Sequence, residues 1–281
     1  MILKLQPVRI LCLFLALLAL GASVSWVGSD SLEYLVQVRN FALIYLSGFI
    51  VYFLGVQAGI MKTTRWEHRV ISSLILFLLF DSFLPWWVFL SLGIITELLQ
   101  RFVRSVAGPI LNPASAGALM LAALGQYPSW WGVSFAPRIN IIEGGISIAA
   151  FFTLPIAGYI VYKYKKLWIP TIAFVLYSVT YFLIFRSNPL FIILEGTVLF
   201  YLLIMAVEPK TSPILKNDQI IFGAVVGLLA PLLLKFGFYE ANLGALLTAN
   251  ILWYLKRFKK TTPAITQVVQ DKTVGKSSKN Q

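Results

Sequence analysis

The sequence predicts an all-α membrane protein of about ten transmembrane helices, and three observations carry that expectation. The chain has 281 residues, of which 59% are hydrophobic and only 12% charged. Apolar runs long enough to cross a bilayer, roughly 17–25 residues, recur along it. The basic residues fall almost entirely on alternate loops, as the positive-inside rule requires of a polytopic protein.

Taken in order, the spans are expected at about 9–27, 41–60, 68–82, 84–99, 112–126, 141–162, 167–185, 189–207, 219–235 and 240–255. The first follows Lys4 and Arg9 and is read as an uncleaved span, because the apolar run continues past Gly21-Ala22-Ser23 through Trp26 and Val27. Spans three to five are short, which fits tilted, broken or re-entrant segments. An even number of spans puts both termini on one side. That side then holds 19 of the 23 Lys and Arg residues, including Lys62, Arg101, Lys163, Lys165, Lys166 and Lys210. Arg39, Arg138, Arg186 and Lys235 fall on the other side. The basic side is expected to be cytoplasmic, in a bacterial inner membrane. Topology thus accounts for the net charge of +12 without nucleic acid, and a basic surface against anionic lipid follows from it.

Residues 1–257 are expected to form the membrane domain, with halves at about 9–126 and 141–255. Residues 258–281 are polar and basic and are expected to be a disordered cytoplasmic tail. Trp86, Trp87, Trp130 and Trp131 fall in or near outer loops, and Trp66 and Trp168 near inner ones, where indole rings form interfacial belts.

The inventory of reactive side chains is narrow. One cysteine, Cys12, cannot hold an iron–sulfur cluster, which takes about four thiolates. One histidine, His68, makes a haem ladder across the membrane improbable, and no metal motif is visible. Neither a Walker loop nor a dinucleotide fingerprint occurs. No self-contained catalytic site can be assembled, so whether the chain is itself an enzyme is left open. An organic carrier such as a flavin is the remaining choice if the chain moves electrons. Glu97, with Arg101 one helical turn on, and Glu195, two turns into the eighth span, are candidates for lining a polar pathway. Glu143 and Glu240 sit where spans begin, a placement that suits the helix dipole.

Asn112-Pro113 and Glu208-Pro209 are polar breaks at the edges of spans five and eight, and the topology puts both at the cytoplasmic face. Asn before Pro is an ordinary helix start, with Asn as cap and Pro in the first turn. A carboxylate and an amide at one membrane face can also hold a ligand by hydrogen bonds.

The segments Leu84-Pro85-Trp86-Trp87, Leu111-Asn112-Pro113-Ala114, Val207-Glu208-Pro209-Lys210-Thr211-Ser212, Ile220-Ile221-Phe222-Gly223-Ala224, Phe236-Gly237-Phe238-Tyr239-Glu240 and Leu246-Leu247-Thr248-Ala249-Asn250 occur in an order that resembles the RnfD/NqrB family. Its members are integral membrane components of the Rnf and Nqr complexes, bacterial ion-translocating redox assemblies. The resemblance covers about residues 70–255. It implies two inverted five-helix repeats in a bundle similar to urea transporters. A weak internal echo between Ala116-Gly117-Ala118-Leu119-Met120 and Leu243-Gly244-Ala245-Leu246-Leu247 agrees. It also implies redox partner proteins and a non-covalent flavin, riboflavin or FMN, near the cytoplasmic side at Asn112, Pro113, Glu208 and Pro209. The family's covalent FMN is not expected here: no threonine lies between Glu97 and Phe152, and Gly-Ala-Thr does not occur. The expected function is membrane-bound electron transport through a flavin, with ion transport as its coupled partner. The alternatives are a channel or transporter for a small polar solute, and a cofactor-free anchor for a redox partner.

Overall fold

The computed structural model describes residues 6–27, 31–61, 66–81, 83–105, 108–133, 138–139, 146–194 and 196–258. The chain is an all-α protein. Its helices are α1 (Pro7–Val27), α2 (Ser31–Gln57), α3 (Trp66–Leu79), α4 (Trp86–Phe102), α5 (Pro113–Ala123), α6 (Ile148–Lys163) and α7 (Trp168–Phe185). The eighth segment is divided into α8 (Pro189–Leu194), α9 (Thr197–Phe200) and a π-helical turn, Tyr201–Met205. Then come α10 (Lys216–Lys235) and α11, residues 241–258. Two minimal hairpins complete the described structure: Arg104–Ser105 pairs with Gly108–Pro109, and Arg138–Ile139 with Ile146–Ser147.

Among the described residues, α1, α2, α7 and α10 are long and apolar enough to cross a membrane unaided. Their apolar side chains remain largely on the outside, as lipid-facing helices require: Leu13, Leu17 and Leu20 on α1, Phe49 and Phe53 on α2, Val175, Val179 and Phe182 on α7. The shorter α3 is the reverse, with Ile71 through Leu79 almost wholly buried. The molecule is therefore a multi-pass membrane protein with an inner layer of short helices wrapped by longer ones.

Two helix pairs pack more intimately than the rest, α2 on α4 and α7 on α10. Glycine makes both possible. A Cβ on Gly93 of α4 would collide with the Ile44 carbonyl oxygen of α2, and a Cβ on Gly227 of α10 would collide with the Ala173 carbonyl oxygen of α7. Small residues let backbones approach where hydrophobic driving force between helices is absent.

Two expectations need correction. The second helix begins at Ser31, ten residues before the expected span, so Arg39 lies on a helix and not in an outer loop. Its guanidinium donates to Asn40 Oδ1 at 3.0 and 3.1 Å, and Gln37 and Asn40 are buried in the bundle. Second, Trp130 and Trp131 are no part of an aromatic belt. Both are buried, Trp131 donating to the Phe77 carbonyl at 2.7 Å. Trp66, Trp86, Trp87 and Trp168 are exposed, as belt residues would be. Residues 259–281, which include nearly all of the expected tail, lie outside the described residues, as do Glu143 and Glu195.

Candidate functional site

Asn112 and Glu208, 96 positions apart, meet at one end of the bundle. Asn112 caps α5 with Pro113 in the first turn: its Oδ1 accepts from the Ser115 N–H at 2.9 Å. The geometry follows from the residue types, since Asn offers an acceptor to an orphan N–H and Pro needs no partner for the donor it lacks. The same side chain donates through Nδ2 to the Met205 carbonyl at 3.3 Å, and the Asn112 backbone N–H donates to Asn250 Oδ1 at 2.8 Å. Asn112 is 1% exposed, and these bonds use both ends of its amide.

The π turn sets up the other side of the contact. It delivers Met205 to Asn112 and releases the chain into a tight turn at Glu208-Pro209. A π segment inside a helical run is rare and marks a departure that tertiary structure has to support. Here Thr211 Oγ1 donates to Glu208 Oε2 at 3.1 Å, Ser212 Oγ donates to the Glu208 carbonyl at 2.7 Å, and Asn250 Nδ2 donates to the Thr211 carbonyl at 3.3 Å.

Lys166, between α6 and α7, closes the network. Its ammonium donates to the Ser212 carbonyl at 2.9 Å, the Ser212 hydroxyl at 2.6 Å, the Pro209 carbonyl at 3.3 Å and the Glu208 carbonyl at 3.4 Å. The residue is 2% exposed. Burial pulls its pKa down to about 8, against the favourable pull of the Glu208 carboxylate. Burial likewise raises Glu208, opposed by Lys210, by the Thr211 hydrogen bond and by Lys166. Lys210 is lowered, chiefly by burial. The Tyr164 hydroxyl, buried beside Glu208, has no hydrogen-bond partner and is pushed up to about 12.

Two hollows adjoin this clasp. One, of about 30 Å³, is lined by Pro113, Glu208, Pro209 and Lys210 with His68 and Gln100; the other, of about 20 Å³, by Asn112, Glu208, Pro209 and Tyr164. Each has room for a water or two. Ligand sites for ring systems run to roughly 300–1,000 Å³. As arranged, Asn112, Pro113, Glu208 and Pro209 do not fit a flavin: the hollows are too small, and the amide of Asn112 is bonded to the protein itself.

The carboxylate expected to line a pathway inside α4 is also committed. Glu97 pairs with Arg69 of α3, Nε to Oε2 at 3.3 Å, and not with Arg101 on its own helix. The Arg69 guanidinium lies 3.8 Å from the centre of the Tyr52 ring, a cation–π contact that covers the pair from α2. Helix periodicity finds a partner one turn away; it is blind to one on a neighbouring helix.

The sequence puts Asn112, Pro113, Glu208 and Pro209 at one membrane face, and the structure brings them together. Lys166 and Asn250 escape the sequence reading. Lys166 sits among Lys163 and Lys165 and reads as one more positive loop residue. Asn250 ends one of the segments that carry the family resemblance, and an Asn inside an apolar helix is itself a signal of a buried polar contact.

A larger cavity, of about 500 Å³, runs beside α5. Its walls include Leu99, Ala116, Met120, Phe238 and Leu247, and its mouth carries Tyr127, Tyr239 and Glu240.

No curated protein matches the chain. The model of the NQR2, RnfD, RnfE family matches residues 139–275, a stretch that contains Lys166, Glu208 and Asn250. Over those residues the chain is similar to the NQR2, RnfD, RnfE family.

Proposed function

We propose that this protein is the membrane-embedded component of an Rnf/Nqr-type electron-transport complex in a bacterial inner membrane, with both termini and the Asn112–Glu208 clasp facing the cytoplasm. The observation that carries the reading is the family match over residues 139–275. The division of basic residues supports the sidedness. The chain offers no NAD or iron–sulfur motif of its own, so redox partner proteins belong to the proposal.

The two glycine-fitted pairs support the inverted-repeat architecture. With five helical segments per half, α2 and α4 of the first correspond to α7 and α10 of the second. Both pairs are joined by the same device, a glycine against a backbone carbonyl. A pairing that recurs at equivalent places is what a duplicated unit, inverted in the membrane, would leave.

The clasp is read as the lock that joins the halves: Asn112 comes from the first, and Lys166, Glu208 and Asn250 from the second. Lys166 fixes the turn after the π segment, and Asn250 ties α11 to the start of α5. A non-covalent flavin at this end belongs to the reading only in a state in which the clasp has opened. Coupled ion movement is a further part of the proposal, with Glu208 and Lys210 as the ionisable groups beside the hollow.

Affinity purification of the tagged chain from its native membranes, in mild detergent, tests this. Redox proteins should co-purify, and a fluorescence scan of the denatured chain should show no covalent flavin. Isolation without any redox partner, together with solute permeation in proteoliposomes, would replace the electron-transport reading with the transporter one.

A further inference from the structure

The 500 Å³ cavity beside α5 has features that the clasp end lacks. It runs the length of α5, whose 11 residues make about 16 Å of helix, from Leu111 before its start to Tyr127 past its end. Leu99, Leu111 and Met120 line its depth, and Ala116, Ala122 and Ala123 keep the α5 wall low. Its volume lies within the range of small-molecule sites.

One ionisable carboxylate faces it. Glu240 is 6% exposed overall and lies in the turn that precedes α11. Trp130 Nε1 donates to its Oε2 at 3.3 Å, which fixes the carboxylate and leaves Oε1 for another donor. Trp130 makes this contact from a strained backbone, with φ at 57° in the left-handed region where a bulky side chain is rare. Strain of this kind persists where surrounding structure enforces it, and it clusters at ligand sites. Tyr127 and Tyr239 stand at the mouth with ring centres 5.7 Å apart. Neither lysine nor arginine is among the lining residues.

We propose that this cavity binds a lipophilic amine, with its protonated nitrogen against Glu240 and the faces of Tyr127 and Tyr239, and its apolar body along α5. A carboxylate and two aromatic rings, with no cation beside them, complement an ammonium head. They repel an anion. A phospholipid is disfavoured because its phosphate would meet Glu240 with no basic partner.

The test uses the purified full chain in nanodiscs, with empty nanodiscs subtracted, and measures equilibrium binding of decylamine, decanol and decanoate. Decylamine should bind roughly tenfold or more tightly than decanol, a difference of one charge-assisted contact, with decanoate weakest. Glu240→Gln keeps an acceptor for Trp130 and should bring decylamine to the level of decanol. Ala123→Phe should weaken decylamine and decanol together by filling the cavity. Equal binding of the three probes to the wild-type chain overturns the proposal. So does decylamine binding that survives both substitutions, or a tightly held phospholipid that decylamine fails to displace. The wild-type probe series is decisive even if a variant does not accumulate.

Discussion

The two ends of this molecule solve opposite problems with the same short helix. At its start, α5 is capped by Asn112 and knitted to Met205 and Asn250, and the hollows around it hold little more than a water. Along its length, from Leu111 to Ala123, it borders about 500 Å³ of mostly apolar space with a single carboxylate, Glu240, among the lining residues. At the first end Lys166, Glu208, Ser212, Asn112 and Asn250 are bonded within the protein, and the Tyr164 and Ser115 hydroxyls are left without a partner. At the second, Glu240 keeps an oxygen in reserve. The contrast teaches where to look for stability and where for ligands: a satisfied polar network holds helices together, while a partly satisfied one beside open space is available for binding.

Breaking the closed end should cost the most. Lys166→Met removes the ammonium shared by three carbonyls and a hydroxyl; the Glu208 carbonyl and the Ser212 hydroxyl keep each other, while the Pro209 and Ser212 carbonyls lose this donor. The expected loss is about 3 kcal/mol, read as a fall of several degrees in the melting temperature of the detergent-solubilised protein. A melting point unchanged by this substitution would show that the ammonium is not holding the turn. Asn112→Ala should cost about 1–3 kcal/mol, because it removes both a helix cap and the donor to Met205. Asn112→Ser, which restores the cap but not the donor, should recover part of that loss; recovery of all of it would mean that the bond to Met205 contributes nothing.

Titration gives a smaller, signed effect. Lys166 keeps its proton to about 8 in the folded protein and to 10.5 when unperturbed. Between those values the unfolded chain binds more protons, so this residue's burial penalty is full below about 8 and is relieved as pH rises toward 10.5. The wild-type protein should therefore gain stability relative to Lys166→Met across that window. A parallel pair of stability curves would contradict it. At the open end, Ala123→Phe should change stability by no more than about 0.5 kcal/mol, because the new ring enters space that already exists. A large loss there would mean that the cavity walls support the fold.

Much of this is legible in the sequence, and the parts that are not share a cause. Seven of the expected spans have helices whose ends lie within a few residues of the expectation, because an apolar run bounded by charge is unambiguous. The sixth helix starts at Ile148, seven residues after the expected start, because the strand Ile146–Ser147 precedes it. The second helix starts early because Glu33, Gln37, Arg39 and Asn40 depress the hydropathy of a segment whose Gln37 and Asn40 face protein. The eighth divides at Gly196, whose φ of 108° no helix tolerates, and hydropathy has no measure of backbone angle. Lys166, Arg69 and Trp130 share a third reason. Each reads from sequence as a residue of the membrane surface, and each is buried by a partner more than 25 residues away: Lys166 at Ser212, Arg69 at Glu97, Trp130 at Glu240.

The contrast between the ends is tested most directly by accessibility, and the chain's single cysteine makes that simple. In a Cys12→Ser background, Ala114→Cys places a thiol beside Asn112, where the native residue is 2% exposed, and Ala123→Cys places one on the cavity wall. Maleimide labelling of the native protein should modify the thiol at 123 at least about a hundredfold faster than the one at 114, since burial at a site that opens only by a few kcal/mol suppresses reaction by that order. Comparable rates at the two positions would mean that the clasp opens freely, and the distinction between a locked end and a ligand-ready end would fall.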